Sequence, residues 1–318
     1  MKRIVLSFIL FSFLITFSKN ADAQFSFLKN IYNPYNETPF TLEGGLSIGM
    51  MNCMTDLGGK AGVGKGFIKD LNANKYKFSF GLFGTITYQD AIAARLEWTR
   101  GNVAASDEVL STLSNKDIAY ARFSRGLNFQ SSINEMSLLT EIHPLPFFIK
   151  WSAMNQDELR FSPYLLGGIG YFSFNPKANL NGELIDLHPL RTEGQGFSQY
   201  PDRKTYSLHQ VNFPVGIGVK YKLPGDVVNI RAEFVYRFLS TDYLDDCSTT
   251  YINSDYFQSN GLAGVQLNNA YQLSDRDPGY GGFAEGHFQR GNPNSKDSYF
   301  TFNLKVGVNL TALTSSDY

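Results

Sequence analysis

The chain has 318 residues with 28 Lys+Arg against 29 Asp+Glu, a balance that leaves no electrostatic footprint for nucleic acid. Beyond the N-terminal leader no apolar run reaches the roughly 18 residues of a membrane-spanning helix, yet aromatics make up 15% of the chain and 29 residues are Gly. That composition suits strands of alternating polarity. Two cysteines, Cys53 and Cys247, are too few and too far apart for a disulfide framework or a local metal motif.

Met1-Lys2-Arg3 is basic, Ile4 to Phe17 is apolar, and Ala21-Asp22-Ala23 precedes Gln24. This order of segments reads as a secretory signal peptide over 1–23, too short for a membrane anchor. No Cys stands at the cut, so a lipoprotein is not expected. The mature chain carries 25 Lys+Arg and 28 Asp+Glu, a net charge of −3. Residues 24–40 are expected to form an N-terminal periplasmic segment, and 41–318 a barrel with a short C-terminal tail.

A period of two then recurs along the chain. Leu42, Leu46, Ile48 and Met50 oppose Glu43, Gly45, Ser47 and Gly49. Tyr76, Phe78, Phe80, Leu82, Ile86 and Tyr88 oppose Lys77, Ser79, Gly81, Thr85 and Thr87. Ile92, Ala94, Leu96 and Trp98 oppose Arg95, Glu97 and Thr99. Segments 128–143 and 161–175 alternate less cleanly. Phe213, Val215, Ile217, Val219 and Tyr221 oppose Gly216, Gly218, Lys220 and Lys222. Val228, Ile230, Ala232, Phe234, Tyr236 and Phe238 oppose Asn229, Arg231, Glu233 and Arg237. Phe300 to Leu310 is the clearest, its even positions apolar and its odd positions polar or Gly.

The connectors between these eight segments run to about 25, 2, 27, 17, 36, 3 and 57 residues. Long and short therefore alternate, as they do when short turns face the periplasm and long loops face outward. A soluble sandwich has no reason to sort its loops by parity. The expected fold is all-β, a closed antiparallel transmembrane barrel of about eight strands with long external loops, placed in the outer membrane.

With the apolar faces on lipid, Glu43, Arg95, Glu97, Glu135, Glu141, Lys220, Arg231, Glu233, Arg237 and Lys305 point inward. An eight-stranded barrel is just wide enough for side chains to fill it. These charges are expected to pair as a structural network and not to line a conduit. His143, His188, His209 and His287 are scattered over a strand end and loops, and no nucleophile elbow or phosphate loop appears. No catalytic residue, cofactor or metal is expected. Asp242, Asp245 and Asp246 could offer oxygens to Ca²⁺, but a solvated loop start is the simpler reading. Cys53 and Cys247 are placed just beyond strands one and seven, on neighbouring parts of the external rim. A disulfide there is possible in an oxidising compartment, and packed free thiols are the simpler reading.

Six stretches carry a family resemblance: Asp56-Leu57-Gly58-Gly59, Arg125-Gly126-Leu127-Asn128-Phe129, Ser162-Pro163-Tyr164 leading into Gly167-Gly168-Ile169-Gly170, Phe174-Asn175-Pro176-Lys177-Ala178, Thr192-Glu193-Gly194-Gln195-Gly196, and Thr241-Asp242-Tyr243-Leu244-Asp245-Asp246. In this order they resemble the Bacteroidetes outer-membrane barrel family that includes PorG, a component of the type IX secretion system. Cys247 departs from the aliphatic residue expected after the acidic motif. The resemblance implies a non-enzymatic component of a secretion machine, whose partners are outer-membrane lipid and a periplasmic lipoprotein ring, with no small-molecule substrate. It implies no role for Thr192, Glu193, Gln195, Asp242, Tyr243, Asp245 and Asp246, which topology puts outside, whereas a periplasmic ring would meet the short turns, the 144–160 connector and the termini. Two other readings stand beside it: an independent barrel serving adhesion or narrow-channel transport, and a barrel enzyme acting on lipid.

Overall fold

The structure, a computed structural model, describes residues 40–58, 75–111, 120–148, 160–276 and 289–315. The leader over 1–23, the segment 24–39 and His287 lie outside them. Ten strands are present among the described residues: β1 (Phe40–Met54), β2 (Lys77–Tyr88), β3 (Ile92–Ser106), β4 (Asn128–Ile142), β5 (Phe161–Ser173), β6 (Pro176–Leu180), β7 (Glu183–Asp186), β8 (His209–Lys222), β9 (Val228–Leu239) and β10 (Ser298–Asn309). Eight of them close an antiparallel ring in the order β1-β2-β3-β4-β5-β8-β9-β10. β10 returns to β1 with Leu46 opposite Val306. Closure pairs every strand on both sides, the condition for strands to cross hydrocarbon.

The remaining pair, β6 and β7, is a hairpin in the connector after β5, which sequence periodicity left as loop. β6 rests on the outer part of β4, with Gln130 opposite Lys177. The first and third strands also run further than their alternation, to Met54 and Ser106, so Cys53 lies within β1 and not beyond it. The reason is visible in β3: Val103, Ala104, Ala105 and Ser106 are buried in succession, because loops cover the outer side where lipid would otherwise be. Where both faces are covered, alternation disappears.

Within the band the alternation is strict. Leu46, Phe78 and Leu304 are 62%, 65% and 59% exposed, while Glu43, Arg95 and Lys305 are 2% exposed or less. An exposed apolar belt around a charged interior is stable only in hydrocarbon, so the chain is a transmembrane barrel of the outer-membrane type. One end carries the tight turns. Gln89 and Asp90 both take left-handed backbone, φ 49° and 54°, as two-residue hairpin turns require. Pro214 sits inside β8 facing inward and has no N–H for a ladder. The β5–β8 pairing is interrupted there, between Gly167↔Val215 and Gly170↔Asn212.

At the opposite end the long connectors pack into a cap with its own apolar core. Leu57, Phe129, Phe172, Phe174, Leu190, Phe197, Leu244, Phe257 and Leu273 are buried there, continuous with Met51, Val103 and Ile133 at the top of the barrel. The connector over 240–297 contributes two helices, Asp255–Ser259 and Gly264–Ser274. The Gly264–Ser274 helix buries Ala270 and Leu273 against this core.

Candidate functional site

Two polar networks lie inside this frame, one in the lumen and one in the cap. In the lumen, Arg95 meets Glu97 at 3.1 Å, Glu141 at 2.9 Å and Glu233 in a short pair. Glu233 also pairs with Lys305 at 2.8 Å and accepts from the Tyr164 hydroxyl. Lys305 reaches Glu97 at 2.6 Å. Arg231 joins Glu141 at 3.0 Å to Glu43, which Lys220 also pairs. Arg237 binds Glu135 at 2.7 Å, and Tyr299 donates to the same carboxylate at 2.7 Å. Five acids face five bases in this interior, all buried. Such matching is what makes buried charge tolerable, and it fills the bore.

Aromatic side chains complete the packing at positions that alternation alone assigned to the polar face or left unassigned. The Phe83 ring lies under Arg231 and Lys305, 5.2 and 5.3 Å from its centroid, and Tyr164 lies 5.9 Å from Arg231. A ring below a cation attracts it and excludes water.

The cap network gathers motif residues from all four long loops. Glu193 is fully buried and accepts from Ser248 N (3.0 Å), Thr249 N (2.9 Å), Thr249 Oγ1 (2.7 Å) and Arg290 Nη1 (3.2 Å). Arg290 Nη1 also donates to the Asp246 carbonyl at 2.6 Å. Asp246 accepts from the Thr192 and Tyr206 hydroxyls at 2.5 and 2.7 Å. Gln195 Oε1 takes the Glu193 N–H at 3.1 Å, and Gly194 and Gly196 supply left-handed backbone at φ 71° and 78°. Tyr243 stacks on Tyr206 with ring centroids 4.7 Å apart. Arg125 grips Asp107 through Nε and Nη2 at 2.8 and 3.0 Å and donates to the Arg290 and Asp56 carbonyls. Asp107 in turn accepts from Gly58 N and Leu127 N. Asp107 and Arg290, which lie in none of the six motifs, thus join with Arg125 of the second motif to tie the loops to each other.

The acidic trio is therefore not a solvated loop start. Asp242, Asp245 and Asp246 are 3%, 1% and 0% exposed. Burial pushes the Asp242 carboxyl up to about 7, opposed by the Ser248 hydroxyl and reinforced by Asp245. Burial likewise raises Asp246 to about 6 against the pull of Arg290. Burial also raises Asp245, Asp297 and Asp56, and nearby carboxylates add to it: Asp56 acts on Asp245, Asp245, Asp242 and Asp56 on Asp297, and Asp242 and Glu193 on Asp56.

The three described histidines do not form one site. His188 contacts the Tyr206 carbonyl at 2.9 Å, and His209 stacks on Tyr171. His143 contacts Ser162 Oγ at 2.9 Å and Glu141 at 3.1 Å, a row with the outline of a hydrolase triad at the tight-turn end of the lumen. Glu141 is already held by Arg95 and Arg231, and the cavity beside the row has about 20 Å³, room for one water and not for an acyl chain. The two cysteines are buried and unbridged. Cys53 Sγ lies 3.8 Å from the Ala104 carbonyl.

Residues 42–280 match a family described as a domain of unknown function, DUF6089. The chain belongs to that family. The DUF6089 match spans β1 through most of the cap, so the lumen and the loop network both lie largely within it. No curated protein matches the chain. Among solved structures it is similar to Neisserial surface protein A, at 8% identity and a TM-score of 0.36, over 86% of this chain and 98% of that one. It is also similar to Ail, the attachment invasion locus protein of Yersinia pestis, in complex with a heparin analogue, at 10% identity and 0.33, over 84% and 97%. The N-terminal barrel domain of Pseudomonas aeruginosa OprF gives 9% and 0.32, over 86% and 98%.

Proposed function

We propose that this DUF6089 barrel is a non-enzymatic structural and interaction component of an outer-membrane protein secretion machine, in the manner of the PorG-like barrels of type IX secretion. The observation that carries the structural part of this reading is the matched lumen. Five acids and five bases fill the bore and a packed cap stands over it, an arrangement that serves rigidity and gives a solute no path. The assignment to secretion rests on the six loop motifs and their order. In this reading the cap is a fixed external platform and the end with the tight turns meets a periplasmic lipoprotein ring.

Affinity purification of a tagged chain from gently solubilised membranes tests the assignment. Co-purification of ring lipoproteins, together with cargo accumulating in the periplasm on deletion, is the expected result. A barrel recovered alone, from cells that secrete normally after deletion, would point instead to the independent-barrel reading.

A further inference from the structure

The outward wall of the barrel carries one charge. At the outward-facing positions of the eight ring strands, Arg100 on β3 is the single Asp, Glu, Lys or Arg. The other charges of those strands all take inward positions, Glu43, Arg95 and Lys305 among them. Alternation fixes where Arg100 points. On β3 the exposed positions are Ile92, Ala94, Leu96 and Arg100, with Trp98 and Asn102 half-buried in the same phase and Thr99 and Gly101 buried in the other.

The register places this arginine toward the cap side of the apolar belt. Because the strands tilt, a hydrogen-bonding row slopes across the wall. One row starts at Ser173 on β5 and passes through Asn134, Arg100 and Phe80. Continued round the ring it returns to β5 at Pro163, ten residues nearer the tight turns. Arg100 is two strands below the top of that descent, so it stands near the upper edge of the belt. Its neighbours suit a membrane interface. Trp98 Nε1 donates to Asn134 Oδ1 at 2.7 Å, and Ser132 Oγ donates to Asn102 Oδ1 at 2.7 Å. These two bonds bridge β3 and β4 on either side of Arg100. They hold the indole with its ring on the apolar wall and its N–H among polar groups, as tryptophans at a bilayer boundary are held.

We propose that Arg100, flanked by Trp98 and Asn134, docks the phosphate of an anionic lipid in the leaflet on the cap side. A guanidinium is costly in hydrocarbon, and it is favourable at the boundary, where its stem lies along the wall and its head meets a phosphate. Its planar fork of donors matches phosphate oxygens. Both asparagines accept through oxygen in the bonds above, so their amide groups add donors, and no carboxylate stands on the outward face of either strand. The acyl chains then run over Leu96, Leu82 and Leu138, which are 55%, 50% and 56% exposed. Strand β9, four strands away and on the opposite side of the ring, presents Ile230, Ala232, Phe234, Tyr236 and Phe238 and no charge. Lipid there meets an apolar wall alone, so the barrel has one wall that selects its lipid and one that does not.

The test uses the full-length mature protein with Trp151→Phe, which leaves Trp98 as its one tryptophan. It is refolded into vesicles of equal parts phosphatidylcholine and phosphatidylglycerol, with brominated chains on one lipid or on the other. Bromine quenches a tryptophan that it touches, so the ratio of the two signals reports which lipid gathers at Trp98. Phosphatidylglycerol should be enriched about fivefold at low salt, the factor for one cation at an anionic surface, and less at high salt. Arg100→Gln should bring the ratio to about one, while Arg100→Lys should keep most of the enrichment. A reporter moved to the opposite wall, Trp98→Phe with Phe234→Trp in the same background, should show no preference. Equal quenching by the two lipids at Trp98 would overturn the proposal and leave the patch to a protein partner. Enrichment that survives Arg100→Gln, or that is the same at both reporters, would also overturn it. So would a Trp98 that neither brominated lipid quenches.

Discussion

Replacing Glu233 by Leu should destabilise the barrel by about 3–5 kcal/mol, the cost of removing one partner from a buried ion pair. Glu233 is the acceptor that Arg95, Lys305 and the Tyr164 hydroxyl share. Leucine fills most of its volume but leaves two buried cations with one acid fewer. Glu97 is already engaged by both cations and Glu141 by Arg95 and Arg231, so neither can absorb the loss. The effect is read as earlier loss of the compact, heat-modifiable form on gels when unheated samples are warmed in steps. Replacing Arg95 and Glu233 together by Met and Leu should recover part of the loss, because a pair swapped for apolar volume leaves a smaller charge mismatch than one half removed. Migration of Glu233→Leu indistinguishable from the wild type would contradict the packed lumen.

The second large effect is expected in the cap. Arg290→Ala removes the cation that faces fully buried Glu193 and that donates to the Asp246 carbonyl. The local cost is again about 3–5 kcal/mol, but it falls on the loops and not on the ring of strands. The barrel band should persist on gels while the 241–297 connector becomes sensitive to protease added to intact cells. Arg290→Lys keeps the charge without the guanidinium geometry, so it should give intermediate protection. Protease resistance unchanged in Arg290→Ala would show that the apolar core of the cap holds the loops without the ionic hub.

The ring of strands was legible in the sequence because hydrocarbon on one side and a packed bore on the other impose a period of two. Lumen charges such as Arg95, Glu233 and Lys305 could be assigned inward from that period alone. Phe83 could not, since an aromatic on the polar face reads as a break in pattern until the cations above it are seen. The upper end of β3 was hidden because it is covered on both sides, so no alternation marks it. The strands of the β6–β7 hairpin are five and four residues long, too short for a period to stand out. The cap was legible only as a set of separate motifs. Arg125 meets residues 69 and 165 positions away, and Arg290 meets Glu193 across 97 positions, distances over which no local pattern operates. Asp242 and Asp245 looked like a solvated run for the same reason, because the residues that bury them come from other loops.

The most direct test of the architecture is a cysteine scan on intact cells, in a background lacking Cys53 and Cys247, with a membrane-impermeant thiol reagent. Positions Phe302, Leu304, Val306 and Val308 on β10 should resist labelling, because they face lipid. Val265 on the cap helix, 77% exposed, should label readily without lysis. Equal labelling of the β10 positions and Val265, or labelling of Val265 only after lysis, would contradict a transmembrane barrel with its cap outside.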